Sequence, residues 1–213
     1  MFKYLFYFSL LIPFLGDSQQ QINGVFSPAS KFKATMLYQL SSGSSNYVRY
    51  ASVNTEGEMQ IDLDASVLPG IYKLVYALPQ SEHNFEFIYT GTEAVVFNFD
   101  AESGLKFINS KENQLLHSYN ESMSVAQNEL VQLYAQPTID TLAYKRLTQK
   151  MNSLQISYEA QSKGTIAVHF ITASKRYTPT EVETVNTYVS NVKKHYFEAI
   201  NFQDTVLQSS NFI

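Results

Sequence analysis

None of the 213 residues is a cysteine. That one absence removes disulfide staples, a Cys-x-x-Cys redox centre and any thiolate metal site, so the fold has to be held by packing alone. Basic charge is also not in excess: 15 Lys and Arg stand against 19 Asp and Glu, for a formal net charge of -4. Such a balance offers no stripe of cations to neutralise phosphates, and a nucleic-acid partner is not expected. Glycine patterns that cradle phosphate, G-x-G-x-x-G and G-x-x-x-x-G-K, do not occur, and no serine sits in G-x-S-x-G. After residue 16 no apolar run approaches the ~20 residues that cross a bilayer, so no transmembrane segment is expected there. No catalytic constellation emerges, and the chain reads as a non-enzyme without a cofactor.

What is present begins with an address. Residues 1–16, MFKYLFYFSLLIPFLG, place Lys3 before an apolar run from Tyr4 to Leu15, and polar DSQQQ follows. The run is too short to span a membrane and reads as a signal peptide over residues 1–18, cleaved near Gly16 to Gln19, with a retained amphiphilic anchor as the alternative. The protein is therefore expected outside the cytoplasm, in the periplasm or cell envelope. About 195 residues would remain, enough for one large domain or two small ones.

From Ile22 to Phe107 short alternating runs are broken by turn residues, the pattern of antiparallel strands. Phe32, Ala34, Met36, Tyr38 and Leu40 alternate with Lys33, Thr35, Leu37 and Gln39, and a Ser41–Ser45 loop leads to a strand over Tyr47–Val53. Asn54-Thr55-Glu56-Gly57 signals a hairpin, after which Met59, Ile61 and Leu63 share a face opposite Glu58, Gln60, Asp62 and Asp64. Strands over Ile71–Ala77, Phe85–Tyr89, Ala94–Phe99 and Leu105–Ile108 complete seven or eight, which suggests a two-sheet sandwich over residues 19–109.

The apolar period then changes from two to 3.6. Asn109 with Glu112 reads as a capping box, and Leu116, Tyr119, Met123, Ala126, Leu130 and Leu133 fall on one face of a helix over about 112–135. Pro137 ends it, and Asp140 caps a second helix with Tyr144, Leu147, Met151, Leu154 and Tyr158 on its stripe. Those two faces can bury each other as an αα-hairpin. An apolar stretch over Ile166–Ala173 and a helix from Pro179 through Val182, Val185, Val189 and Val192 to about Phe197 complete a helical domain over residues 110–213. The expected class is α+β, an antiparallel β-sandwich followed by an antiparallel helical segment.

Few side chains stand out as chemistry. His83, His117, His169 and His195 are scattered without the i, i+4 spacing of a helical metal pair. Asp62 and Asp64 could hold Ca²⁺ with Glu56 and Glu58, but without a ligand-loop glycine they read as a solvated sheet face, and no metal site is expected. The sequon Asn120-Glu121-Ser122 falls inside a predicted helix and reads as accidental. Aromatic residues are the remaining resource. Phe85, Phe87, Phe97 and Phe99 alternate as an inward face should, whereas Tyr47 and Tyr50, with Asn46 and the serine-rich loop beside them, form the candidate binding surface.

The order of parts resembles a known family. Ile22-Asn23-Gly24, the Gly57 turn before Met59-Gln60-Ile61, the Pro69-Gly70-Ile71-Tyr72 step and Phe107-Ile108-Asn109-Ser110-Lys111-Glu112-Asn113 entering a long helix are similar to the N-terminal region of TlpA-like envelope thiol-disulfide proteins. The tail, His195-Tyr196-Phe197 through Phe202-Gln203-Asp204-Thr205-Val206-Leu207, looks like the family's junction, an aromatic pair followed by F-x-D-x-x-L. The resemblance covers most of residues 22–213. It implies an accessory β-sandwich and helical segment without the thioredoxin domain, serving a thioredoxin-like domain or another envelope protein as partner. The departure is the missing Cys-x-x-Cys, so no catalytic residue carries over. The apolar end Asn211-Phe212-Ile213 reads as a truncated or fragmentary chain. The alternative is a stand-alone envelope module that binds glycan or peptide.

Overall fold

Alternation in the first half becomes eight strands in two four-stranded sheets, and the second half becomes helices, an α+β fold. The computed structural model describes residues 20–213, so the expected signal segment lies outside the described residues. The strands are β1 (Gln20–Ser27), β2 (Ala34–Ser41), β3 (Ser44–Ser52), β4 (Glu58–Leu63), β5 (Gly70–Val75), β6 (Asn84–Tyr89), β7 (Val95–Asp100) and β8 (Gly104–Asn109). Sheet A has the order β4-β1-β7-β8 and sheet B the order β3-β2-β5-β6.

The sandwich is not wholly antiparallel. β1 runs parallel to β7, with Ile22 opposite Val95 and Phe26 opposite Phe99, while the other strand pairs are antiparallel. Local turn signals announce hairpins, which are antiparallel by construction, and are silent about a pairing made across most of the domain. Gly24 makes this contact possible: it lies opposite Phe97, and a Cβ there would sit 2.2 Å from the Phe97 ring. Phe97 thereby reaches the centre of the sandwich, where Phe26 meets it edge-on at 5.7 Å.

Met59, Ile61 and Leu63 turn inward as their alternation requires, joining Ile22, Leu37 and Leu74. In β2 the inward face is Thr35 and Leu37, so the expected face of Ala34, Met36 and Tyr38 is the outer one. Phe32 does reach the core, but from the segment before the strand begins, and that break resets the alternation.

The switch to helix falls at Ser110, between β8 and α1 (Lys111–Tyr134). The expected capping box does not form. Asn109 finishes β8 and donates to the Ala94 carbonyl at 2.9 Å, and Ser110 is the cap residue. Glu112 is drawn away to accept from the Ala167 amide at 3.0 Å, at the start of α3 (Ala167–Ala173). A tertiary donor has outcompeted the local one. Ser110 is also buried at φ 151, a backbone region that L residues rarely adopt.

Asn113 explains why that corner is worth its strain. Its amide accepts from the Ile88 N–H at 2.8 Å and donates to the Ile88 carbonyl at 2.7 Å and the Ser110 hydroxyl at 2.7 Å. Ile88 lies on β6, the edge strand of sheet B, so one side chain replaces a missing neighbouring strand.

Asp140 caps α2 (Thr141–Gln161) as expected, accepting from the Leu142 and Ala143 amides at 2.8 and 3.1 Å. Tyr119, Met123, Ala126, Leu130 and Leu133 of α1 are buried with Tyr144, Leu147 and Met151 of α2, and Leu116 is half-buried beside them. Ile71 and Ile88 join the same cluster from sheet B. The helices therefore sit on the outer face of that sheet.

The last expected helix is shorter than its sequence suggested. α4 spans Val185–Lys194, capped by the Thr184 hydroxyl, which accepts from the Thr187 amide at 3.2 Å. Residues 179–183 stay non-helical, with the Glu183 carboxylate accepting from Tyr177 and Asn191, each at 2.7 Å. Val185 and Val189 are exposed, and Tyr188 is the α4 residue that stacks inward, on Tyr134 at 5.1 Å. A one-turn helix, α5 (Thr205–Gln208), closes the chain by burying Leu207.

Candidate functional site

The expected Ser41–Ser45 loop is a tight hairpin end. β2 runs to Ser41 and β3 starts at Ser44, with only Ser42 and Gly43 between them and Gly43 at φ 74. The Ser41 and Ser44 hydroxyls bond across it at 2.6 Å. The surface beside the turn is thus built on paired strands.

The register of that pair decides what Tyr47 and Tyr50 can do together. Three residues apart on a regular strand, they would point to opposite faces. Met36 lies opposite Tyr50 and Leu37 opposite Arg49, but Tyr38 lies opposite Tyr47, so Val48 is an extra residue on β3. The bulge restores the parity and brings both tyrosines to the face that carries Met36 and Tyr38. Both are open to solvent, Tyr47 at 59% and Tyr50 at 55% of full exposure. Tyr38 stands edge-on to Tyr47 at 5.9 Å, Lys73 Nζ lies 6.0 Å from the Tyr38 ring, and Gln80 donates to the Tyr38 hydroxyl at 3.4 Å.

Asn46 is exposed but pairs with Gln39, on the opposite face of the hairpin from Tyr47. The sequence grouped the three residues because they are neighbours in the chain; the pleat parts Asn46 from the rings. Met36 and Tyr38 belong to the surface instead. Only the bulge brings both tyrosines beside them, and nothing in the composition of SSNYVRYAS marks its position. Arg49 points off the strand edge to Asp64 at 3.2 Å.

Other sequence candidates are dispersed. His117 pairs with Glu121 at 3.3 Å, His169 with Asp204 at 2.6 Å and His195 with Glu198 at 2.8 Å, while His83 lies against the Tyr76 ring. Among the described residues no group of three His, Asp or Glu side chains could hold a metal ion. Asp62 accepts from Gln21 and Gln60, and Asp64 is turned to Ser66 and Arg49. Hydrogen bonds from the Ser66 hydroxyl and amide, with the Arg49 charge, hold the Asp64 carboxyl below its ordinary range. Asn120 is exposed in the interior of α1.

The His169–Asp204 contact was not anticipated. Burial works to raise the Asp204 carboxyl, yet the His169 bond and the Val206 and Leu207 amides outweigh it and hold the group below its usual value. The pair ties α3 to α5. A second unexpected feature is a cavity of about 290 Å³ between β6, α1 and the C-terminal segment. Within its polar lining Asn113 holds Ile88, His117 holds Glu121, and Glu86 accepts from the Asn211 amide at 3.0 Å through one carboxylate oxygen while the other is buried without a partner among the described residues. Burial pushes the Glu86 carboxyl up, against that amide and the Lys73 charge.

Neither the protein-family models nor the curated proteins compared with this chain give a match.

Proposed function

We propose that this chain is a non-catalytic recognition module of an exported TlpA-like thiol-disulfide system, engaging a thioredoxin-like domain or another envelope protein through the outer face of the β2–β3 hairpin. The observation that carries the reading is the Val48 bulge, which sets Tyr47 and Tyr50 on one face with Tyr38 and Met36. Tyrosine rings offer large contact area at small entropic cost, and a hydroxyl at the far end that tolerates water when the partner leaves. Their footing on paired strands holds them in place before binding, which lowers the ordering cost of association. The sandwich-then-helix order agrees with what the resemblance implies.

The experiment is retention of a Tyr47→Ala/Tyr50→Ala double variant on an immobilised thioredoxin-like domain and on envelope glycan, with circular dichroism as a check on folding. Loss on the thioredoxin-like domain supports the proposal. Loss confined to glycan would make the chain a stand-alone glycan module, and unchanged retention on both would leave this sheet face a structural role only.

A further inference from the structure

A second surface, away from the tyrosine hairpin face, has the chemistry of a binding site. The segment after α4 and the segment before α5 leave three rings open to solvent, with Phe197 at 59% and Phe202 at 53% of full exposure and Tyr196 beside them. They contact one another: Tyr196 and Phe197 are 4.9 Å apart edge-on, and Phe197 and Phe202 are 5.7 Å apart. With Phe212 and the hairpin end at Ser42 they line an open cavity of about 650 Å³. Contiguous apolar surface of this kind is uncommon on a protein unless something covers it.

Arg176 says what kind of group would cover it. Its guanidinium lies over the Tyr196 ring at 5.3 Å, and it is the one charged side chain among the residues that line the cavity. Its Nη1 is buried without a hydrogen-bond partner among the described residues. No described carboxylate forms an ion pair with it. A purely apolar occupant would strip water from an unpaired cation, which is costly. A polyanion would ask for more than one cation. A single planar guanidinium matches a single carboxylate, and the rings beside it match an apolar body on the same molecule.

We infer that this cradle binds a carboxylate carried on an apolar or aromatic body, with Arg176 as the anion anchor and Phe197 and Phe202 as the walls. Such a group is found on a free organic acid and at the C-terminus of a peptide that ends in an apolar residue. Both are tested by calorimetric titration of the full chain: 4-phenylbutyrate against 4-phenylbutanamide, and N-acetyl-Ala-Phe-Leu against its C-terminal amide. At least one acid is expected to bind about tenfold more tightly than its amide. Arg176→Met should abolish that difference, and Phe202→Ala should weaken acid and amide together. Binding of the free acid assigns the site to small molecules, and binding of the peptide acid alone assigns it to polypeptide ends. Equal affinity of acid and amide, or no heat from either acid at ~10 mM, would overturn the assignment, whatever becomes of the Arg176 variant's fold.

Discussion

At one end of the outer face of sheet B, Leu40, Ile71 and Ile88 lie under the helices, while at the other Tyr47 and Tyr50 look into solvent beside half-buried Met36 and Tyr38. The face is the same, and β2 contributes to both ends. What differs is the side-chain chemistry: Leu40, Ile71 and Ile88, branched aliphatic residues that gain nothing from water, sit where a helix covers them. Residues with an apolar body and a polar or polarisable tip sit where none does. The sheet edges divide in a similar way. β6 is closed by Asn113, whereas among the described residues no strand or side-chain substitute lies along the outer side of β3.

The largest effect should come from the covered end. Ile88→Ala removes methyls from a site where two packed layers meet and should cost ~2–4 kcal/mol in urea unfolding, as should Leu130→Ala on the facing helix. A loss under ~0.5 kcal/mol, the size seen at surface sites, would show that the helices do not seal this end.

Next in size is the edge. Asn113→Ala leaves the Ile88 N–H and carbonyl without their partner and should cost ~1–3 kcal/mol. Hydrogen exchange gives a local reading: the Ile88 amide should lose protection far more than amides in sheet A. Unchanged exchange there would mean that another group can close the edge.

Buried tyrosines provide a third contrast, read through pH. Burial, with neighbouring Tyr89, pushes the Tyr72 hydroxyl up to about 12, and burial with nearby Glu159 does the same for Tyr119 against the Arg176 charge and the Gln155 bond. Above an ordinary tyrosine value near ~10 the unfolded chain loses these protons first, so the folded state holds more of them and stability falls as pH rises. The urea midpoint should be level from pH 7 to 9 and then decline between about pH 10 and 12. A flat profile through that window would place these hydroxyls in contact with water.

The smallest effect belongs to the bare end. Tyr47→Ala or Tyr50→Ala should change stability by under ~0.5 kcal/mol. A cost as large as that of Ile88→Ala would show that the rings stabilise the sheet and are not free for a partner.

Much of this arrangement is legible in the chain, and the exceptions share a cause. Met59, Ile61 and Leu63, the Leu130 stripe and the Asp140 cap depend on neighbours within one element, and periodicity or a single capping side chain reveals them. Glu112, Asn113 and the Val48 bulge depend on partners from other elements. Glu112 has the right spacing for a capping box but finds a better donor on α3, and Asn113 looks like an ordinary first-turn residue until β6 is beside it. The tyrosine pair was legible as exposed because polar residues surround it. That both rings share a face was not, since the extra residue is defined only by the strand opposite.

The pairing of β1 with β7 also sets an order of events. The αα-hairpin and the β2–β3 hairpin close between residues near in sequence and need no help from the rest of the chain. Sheet A is different, because its second strand must wait for its third while the whole of sheet B lies between them in the chain. Closing so long a loop delays the contacts that reward it. Until β7 arrives, β1 has only β4 beside it, and its other edge is a template for strands of other molecules. The vulnerable stage of this protein's life is therefore the interval before Phe97 settles over Gly24, when the chain is most open to aggregation and most in need of dilution or a chaperone.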